Sequence, residues 1–477
     1  MRSRTTPGRS WQKTPAAPAA FWPVIPFYLE KSAPVFAAML GTVYAGCCYS
    51  VLDTRQPAAR TQQVLSTLQP SLLITDRDHA DAAAALGCCC SVYLLEDLLT
   101  AAVQPSLLAA RRAQAVDVDP LYINFTSGST GVPKGVTVSH RSVLDFIPQF
   151  AAIFGIKAQD ILGNQAPFDF DVSVKDLYTA LYTGAKVQII PRAYFSQPTK
   201  LMDYLADHAV TTLVWAVSAM CFVSIMNGFG YRVPTAIRQV FSGEVMPIKH
   251  LNKWKAALPQ ARFVNLYGPT EITCNCTYYI LPDRVFAPEE VLPIGHAFPN
   301  EKVFLLDEND RLVTEPGQAG ELCVSGTALA LGYYADPART AQAFTQNPLN
   351  TRWYERIYRT GDLARCDAAG EFYYIGRKDF QIKHMGHRVE LGEIEAAAMR
   401  CDAVTRACCI FDAEKQRLHL FYTGSCEKAA LLAALKAALP PFMQPNTALQ
   451  LDELPMNKNG KIDRTALAAL TKKGARK

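Results

Sequence analysis

The chain has 477 residues, about three domains' worth at ~150 residues each. Hydrophobic residues make up 49% and charged residues 19%, which excludes a disordered chain and a charged coiled coil, while 27 Gly and 30 Pro exclude collagen-like and low-complexity classes. The net charge of +5 sits at the ends, on Arg2, Arg4, Arg9 and Lys13 and on Lys472, Lys473, Arg476 and Lys477; without those eight, residues 14–469 carry −3, and nothing in that body points to nucleic acid.

Residues 1–25 form a Pro-, Ala- and Arg-rich leader, predicted to be largely disordered. Pro15, Pro18, Pro23 and Pro26 interrupt it, so it is a poor secretory signal. Residues 33–52 are an uncharged run of 20. That length could span a membrane, but Gly46 breaks the run after a helix's length. A buried helix followed by a buried strand ending at Asp53 is predicted instead, with no transmembrane segment. LYINF (121–125), VTTLVWAV (210–217) and RFVNLY (262–267) read as buried strands separated by helical stretches, the signature of a parallel α/β core. From about residue 292, KVFLLD, GELCVSG and EFYYIG read as short strands of a small β-barrel-like part. Beyond Asp379, VELGEIEAAAMR (389–400) and EKAALLAALKAAL (427–439) read as helices, and ACCIFD and RLHLFYTG as paired strands. The fold class is therefore α/β. A large multi-subdomain N-terminal body (26–378) precedes a small α+β C-terminal domain (379–477). The 14 cysteines include the adjacent groups Cys47-Cys48, Cys88-Cys89-Cys90 and Cys408-Cys409, and neither they nor the 8 histidines show zinc spacing. Reduced thiols in a cytoplasmic protein are expected.

The sharpest motif is FTSGSTGVPKG, Phe125 to Gly135. A strand runs into a loop of glycines, hydroxyls and Lys134, which suits phosphate. It is not a Walker A loop, because Pro133 stands where the second glycine belongs and no Ser or Thr follows Lys134. Here the chain resembles the adenylate-forming (AMP-binding) enzymes: acyl-CoA synthetases, luciferases and nonribosomal adenylation domains. The resemblance implies that Thr126, Ser127, Gly128, Ser129, Thr130 and Lys134 hold ATP. NLYGPTE resembles the second nucleotide motif, implying contacts from Asn265, Leu266, Tyr267, Gly268, Pro269 and Thr270. There Tyr267 would stack on adenine, Thr270 would meet the α-phosphate, and Glu271 would hold Mg²⁺. YRTGDLA resembles the ribose motif, with Asp362 on the ribose hydroxyls. IGRKDFQIKHMGHRVELGEIE resembles the hinge motif, with Tyr374 and Arg377 at the nucleotide and Asp379 as pivot of a mobile lid. NKNGKIDR resembles the C-terminal motif, with Lys461 catalytic and bridging the substrate carboxylate and the phosphate. The likeness covers roughly residues 28–467.

QAPFDFDVSVKDLY places Asp171 where amino-acid-activating members keep an aspartate for the α-ammonium. A buried carboxylate calls for a cation, so a cationic substrate group is implied. This segment and FSGEVMP resemble the D-alanine–carrier-protein ligases, which implies a small pocket lined by Asp171, Ser242, Gly243, Cys274 and Lys461. Those ligases usually have Cys at Ser242 and a small aliphatic residue at Cys274. The expected activity is ATP-dependent activation of a small, D-alanine-like amino acid and its transfer to phosphopantetheine. No carrier motif is present, so a separate carrier protein is the expected partner. Alternatives are a standalone peptide-synthetase-type adenylation enzyme for another amino acid, an acyl-CoA synthetase, or a degenerate remnant. Family members usually carry several dozen further residues at the front, so the first helix and strand pair are expected to be missing, with Pro26 at a strand position.

Overall fold

The computed structural model describes residues 23–128, 132–243, 246–378, 381–413, 415–456 and 462–473. Two seven-stranded sheets form the body. In the first, Val24–Tyr28 lies between Cys48–Leu52 and Leu72–Thr75, parallel to both. Ser91–Leu94 extends the parallel set on one side, and Pro120–Thr126 pairs with Cys48–Leu52 on the other. Lys134–Ser139 then returns antiparallel to Pro120–Thr126. In the second sheet, Lys186–Ile189, Ile161–Asn164, Thr212–Val214, Gln239–Ser242 and Arg262–Tyr267 run parallel, and Thr277–Ile280 returns antiparallel. Strands buried on both faces read as continuous apolar runs, and these do.

The helix His140–Phe154 presents Phe146, Phe150 and Phe154 every fourth residue. This stripe meets Phe241 and Phe298 in edge-on and tilted pairs at centroid separations of 4.8–6.4 Å, so one apolar core joins the helix to both sheets. A third sheet is antiparallel and contains Glu301–Leu306, Ala319–Gly326, Arg356–Cys366 and Phe372–Arg377. The last part has its own core, built from residues between Val389 and Ala448. Helices Leu391–Met399 and Lys428–Ala438 cover the sheet of Val404–Asp412, Arg417–Gly424 and Thr447–Gln450 there.

Three sequence expectations change. Strand Val24–Tyr28 begins inside the stretch expected to be disordered, and residues 1–22 lie outside the described residues. Pro26 is accommodated because the ladder to Leu72–Thr75 starts only at Phe27. The strand near 210–217 is only Thr212–Val214, since Val217 already opens the helix Val217–Ile225. Val389 and Glu390 belong to the hairpin strand His387–Glu390, so the helix starts at Leu391.

All fourteen cysteines are free thiols. Among the described residues, no helix is long and apolar enough to cross a membrane.

Candidate active site

The chemistry-bearing segments gather where parallel strands end. Pro120–Thr126 runs into the Ser127–Gly128 loop, Ile161–Asn164 into the segment ending at Asp171, Gln239–Ser242 into Gly243, and Arg262–Tyr267 into Gly268–Asn275. The carboxyl edge of a parallel sheet is where such folds open a crevice.

Glu271 is the centre, with no exposed surface. Tyr333 donates its hydroxyl to Oε1 at 2.7 Å and Lys134 Nζ donates to the same oxygen at 3.1 Å. Arg388 donates to Oε2 at 2.6 Å. Burial pushes the Glu271 carboxyl up, but the charges of Arg388 and Lys134 and the Tyr333 hydrogen bond outweigh it and hold the group well below the usual carboxylate range. Burial brings the Lys134 ammonium down to about 8, with Arg388 adding to the fall and Glu271 opposing it. Arg388 comes from the hairpin Gln381–His384/His387–Glu390. Ser127 Oγ donates to the Arg388 carbonyl at 2.5 Å, so the C-terminal part rests directly on the Gly-rich loop.

A second cluster lies beside the third sheet. Asp362 accepts from the Tyr267 hydroxyl, and Arg377 reaches its other oxygen at 2.6 Å. Tyr374 faces the Tyr267 ring at 6.5 Å. Asn265 donates to the Pro293 carbonyl at 2.7 Å, which fixes the strand end, and Leu266 is buried.

A third cluster surrounds Asp171, at the start of the helix Val172–Thr183. Burial raises its carboxyl, while Lys175 and a hydrogen bond from Thr270 pull it down. Cys274 donates its thiol to the Asp171 carbonyl, with sulfur and oxygen 3.2 Å apart. Thr273 and Cys274 both hold left-handed backbone, at φ 47 and φ 75. Two such residues in succession store strain, and they aim Cys274 and Asn275 at the Asp171 helix. Ser242 is buried, and the Gly243 carbonyl accepts from Lys383 at 2.8 Å.

Pro269 and Gly268 set this turn. A Cβ on Gly268 would lie 2.5 Å from the Asn275 Cα and 2.7 Å from the Cys274 oxygen. Backbone cannot yield as a side-chain end would. Gly268→Ala is therefore expected to cost about 1–3 kcal/mol, measured as a lowered melting temperature. An unchanged melting temperature would show that the turn can shift freely.

The structure thus brings together Ser127, Lys134 and Glu271 around Arg388; separately Tyr267, Asp362, Tyr374 and Arg377; and Asp171 with Thr270 and Cys274. Ser129, Thr130, Asp379 and Lys461 lie outside the described residues. Sequence reasoning missed Arg388, Tyr333, Lys175 and Asn275. Arg388 and Lys175 stood inside quoted motifs, and Lys175 lies one helical turn after Asp171, a spacing that places both on one face. Tyr333 carried no local signal.

Among the described residues, no group of three His, Cys, Asp or Glu side chains could hold a metal ion. Mg²⁺ is commonly held by one or two carboxylates together with phosphate oxygens, and Glu271 offers one such carboxylate, provided the metal takes the place of Lys134 or Arg388 at one of its oxygens. The buried Thr126 hydroxyl, which has no partner among the described residues, suits an incoming oxygen ligand.

Comparison with known proteins gives a consistent picture. Tyrocidine synthase 2 of Brevibacillus parabrevis is 34% identical over 450 residues; the match takes in 93% of this chain but only 12% of that much longer protein. The L-proline–[L-prolyl-carrier protein] ligase of Streptomyces coelicolor is 33% identical over 468 residues, covering 92% of this chain and 86% of the ligase. The crystal structure of IdnL1 superposes with a TM-score of 0.78 at 28% identity, covering 91% of this chain and 88% of IdnL1. The AMP-binding enzyme model matches residues 23–334, and the AMP-binding enzyme C-terminal domain model matches residues 393–461. With well over half its length matched, the chain belongs to the AMP-binding enzyme family.

Proposed function

We propose that this enzyme activates an amino acid with ATP as an aminoacyl adenylate and passes the aminoacyl group to the phosphopantetheine thiol of a carrier protein. The observation that carries this reading is Asp171, a buried carboxylate that accepts a hydrogen bond from Thr270, the residue before Glu271. A buried carboxylate that is to stay ionised needs a cation, and an α-ammonium supplies one beside the reacting carboxyl group. The carrier-loading likeness to the proline ligase supports the second step.

In the first step the substrate carboxylate oxygen attacks the α-phosphorus, the bond to the β-phosphate oxygen breaks, and pyrophosphate leaves. Both reactants are anionic, so the protein must neutralise and align them. In this reading Thr126, Ser127, Gly128, Ser129, Thr130 and Lys134 cradle the phosphates. Tyr267 and Tyr374 flank the adenine, and Asp362 and Arg377 take the ribose. Lys461 bridges carboxylate and phosphate. Mg²⁺, held on Glu271, would screen the phosphate charge. In the second step the thiol sulfur attacks the acyl carbon, the acyl–phosphate oxygen bond breaks, and AMP leaves. Residues 379–477 act as a lid about Asp379, and 26–378 as the nucleotide-binding body.

The likeness of the Asp171 segment to D-alanine ligases supports a compact substrate. Cys274, Lys175 and Asn275 close in on Asp171 from one side, which agrees with that. The test is ATP–pyrophosphate exchange over a panel of D- and L-amino acids. Exchange dependent on one amino acid is expected. Exchange only with non-amino carboxylic acids would overturn the reading in favour of an acyl-CoA synthetase.

A further inference from the structure

A cavity of about 70 Å³, room for a few water molecules, lies where the C-terminal part rests on the body. Thr126, Ser127, Asp169 and Phe170 line it from the body, and His387 and Arg388 from the hairpin of the C-terminal part. The His387 ring stacks on Phe442 at 3.8 Å and lies 5.3 Å from the Phe170 ring, so the two parts meet here through aromatic contacts.

The lining is polar and unpaired. Gln56 Oε1, Thr126 Oγ, Asp169 Oδ1 and Arg388 Nε are all closed to solvent and have no hydrogen-bond partner among the described residues. Buried polar atoms are seldom left so, and four around one cavity mark a place for a polar guest. Asp169 differs from the other three in being a carboxylate. Burial, and then the charge of Asp53, push its carboxyl up to about 7, against the pull of Arg55 and Arg60. Among the described residues no cation pairs with it: Arg55 is taken by Asp53, Arg60 by Glu393 and Arg388 by Glu271. Burial brings the His387 imidazole down to about 4, so the ring across the cavity is neutral at pH 7. An ordinary carboxylate is a weak base for a thiol, whereas one raised toward neutrality is matched to the task.

We propose that Asp169 is the catalytic base of thiol transfer, taking the proton of the attacking thiol at Oδ1. The first step moves no proton and leaves Asp169 without a task. In the second the S–H bond breaks as the proton passes to Asp169, the sulfur bonds to the acyl carbon, and the acyl–phosphate oxygen bond breaks. AMP leaves with that electron pair, and Asp169 returns its proton to water. The placement suits this. Phe170 alone separates Asp169 from Asp171, so their Cα atoms lie about 7 Å apart at most, and Asp171 is where the substrate ammonium is proposed to sit. Thr126 and Ser127 belong to the loop proposed to hold the phosphate, so the cavity borders both ends of an aminoacyl adenylate. The C-terminal part completes the cavity while Arg388 holds Glu271 Oε2, an arrangement that fits a step in which pyrophosphate has already left. This inference rests on the proposed carrier loading and deepens it.

The test forms the aminoacyl adenylate on the full chain, with the amino acid that best supports exchange, and follows single-turnover transfer to pantetheine from about pH 5 to 9. In the parent the rate is expected to rise with pH through about 7, as Asp169 ionises. Asp169→Asn should slow transfer by at least about 10²-fold more than it slows exchange and remove that limb, and Asp169→Glu should keep part of both. Replacing ethanethiol by the more acidic trifluoroethanethiol should shrink the deficit of Asp169→Asn, because that thiol ionises without help. Equal falls in exchange and transfer, with the pH limb kept and both thiols affected alike, would mark a structural role and overturn the inference. Parental transfer in Asp169→Asn would do the same. No transfer from the unmodified chain to any of the three thiols, with exchange intact, would overturn carrier loading as well and leave amino acid activation standing.

Discussion

Glu271→Gln will reduce amino acid-dependent pyrophosphate exchange by at least about 10³-fold and destabilise the fold by about 3–5 kcal/mol. The carboxylate is wholly buried and answers Lys134 and Arg388 together. An amide keeps the shape but removes the charge, so two buried cations then face each other without an anion. Exchange suffers further because the group proposed to hold the metal is gone. The effect on stability has a pH signature. The folded-state carboxyl is held well below its usual range, so its contribution is fully present above the unfolded value of roughly 4.3 and is lost as pH falls below it. The variant, lacking this group, should show a shallower acid limb. Urea melts of both proteins at neutral pH and at pH 4 measure this. Stability and exchange within twofold of the parent would refute the central place given to Glu271.

Asp171→Ala should cost about 10² to 10³-fold in kcat/KM for the amino acid while leaving ATP affinity within a few-fold. The substrate ammonium would enter a buried site with no carboxylate to meet it. The change also removes one of the two buried carboxyl groups, Asp171 and Asp176, whose charge faces Lys175, so part of the loss will appear as lowered thermal stability. Comparing ATP-induced thermal shifts with exchange rates separates the two effects. Full exchange activity in the variant would mean that the substrate carries no ammonium at this position, and the amino acid reading would fall.

Much of this architecture was legible because the relevant signals are local. The strand–glycine–hydroxyl–lysine run around Lys134 announced a parallel strand, and Pro120–Thr126 is one. The uncharged run 33–52 resolved correctly into a helix and a strand because Gly46 breaks it, and φ 73 there is a conformation glycine adopts without strain. Non-local pairings stayed hidden. Arg388 and Glu271 are 117 residues apart and Tyr333 and Glu271 are 62 apart, and neither spacing has a period to detect. Pro26 misled because a proline's effect on a strand depends on where the neighbouring ladder begins, which register alone decides. The backbone strain at Thr273 and Cys274 was equally invisible, since neither residue type advertises a left-handed conformation.

The inner position of strand Val24–Tyr28 has a consequence for how the sheet can assemble. Cys48–Leu52 joins it on one side and Leu72–Thr75 on the other; Ser91–Leu94 then extends the second flank and Pro120–Thr126 the first. Among the described residues the strands therefore add outward from Val24–Tyr28 in chain order. The connections from Val24–Tyr28 to Cys48–Leu52 and from Leu72–Thr75 to Ser91–Leu94 are short, which keeps the entropic cost of those parallel pairs low, whereas Pro120–Thr126 has to come back past Leu72–Thr75 and Ser91–Leu94 to reach Cys48–Leu52. The segment from Val24 to Thr75 already contains a central strand with a partner on each side and the helices Ala33–Tyr44 and Ala58–Leu68 that connect them. The open edges it still presents to other chains are temporary, and they move outward as synthesis proceeds.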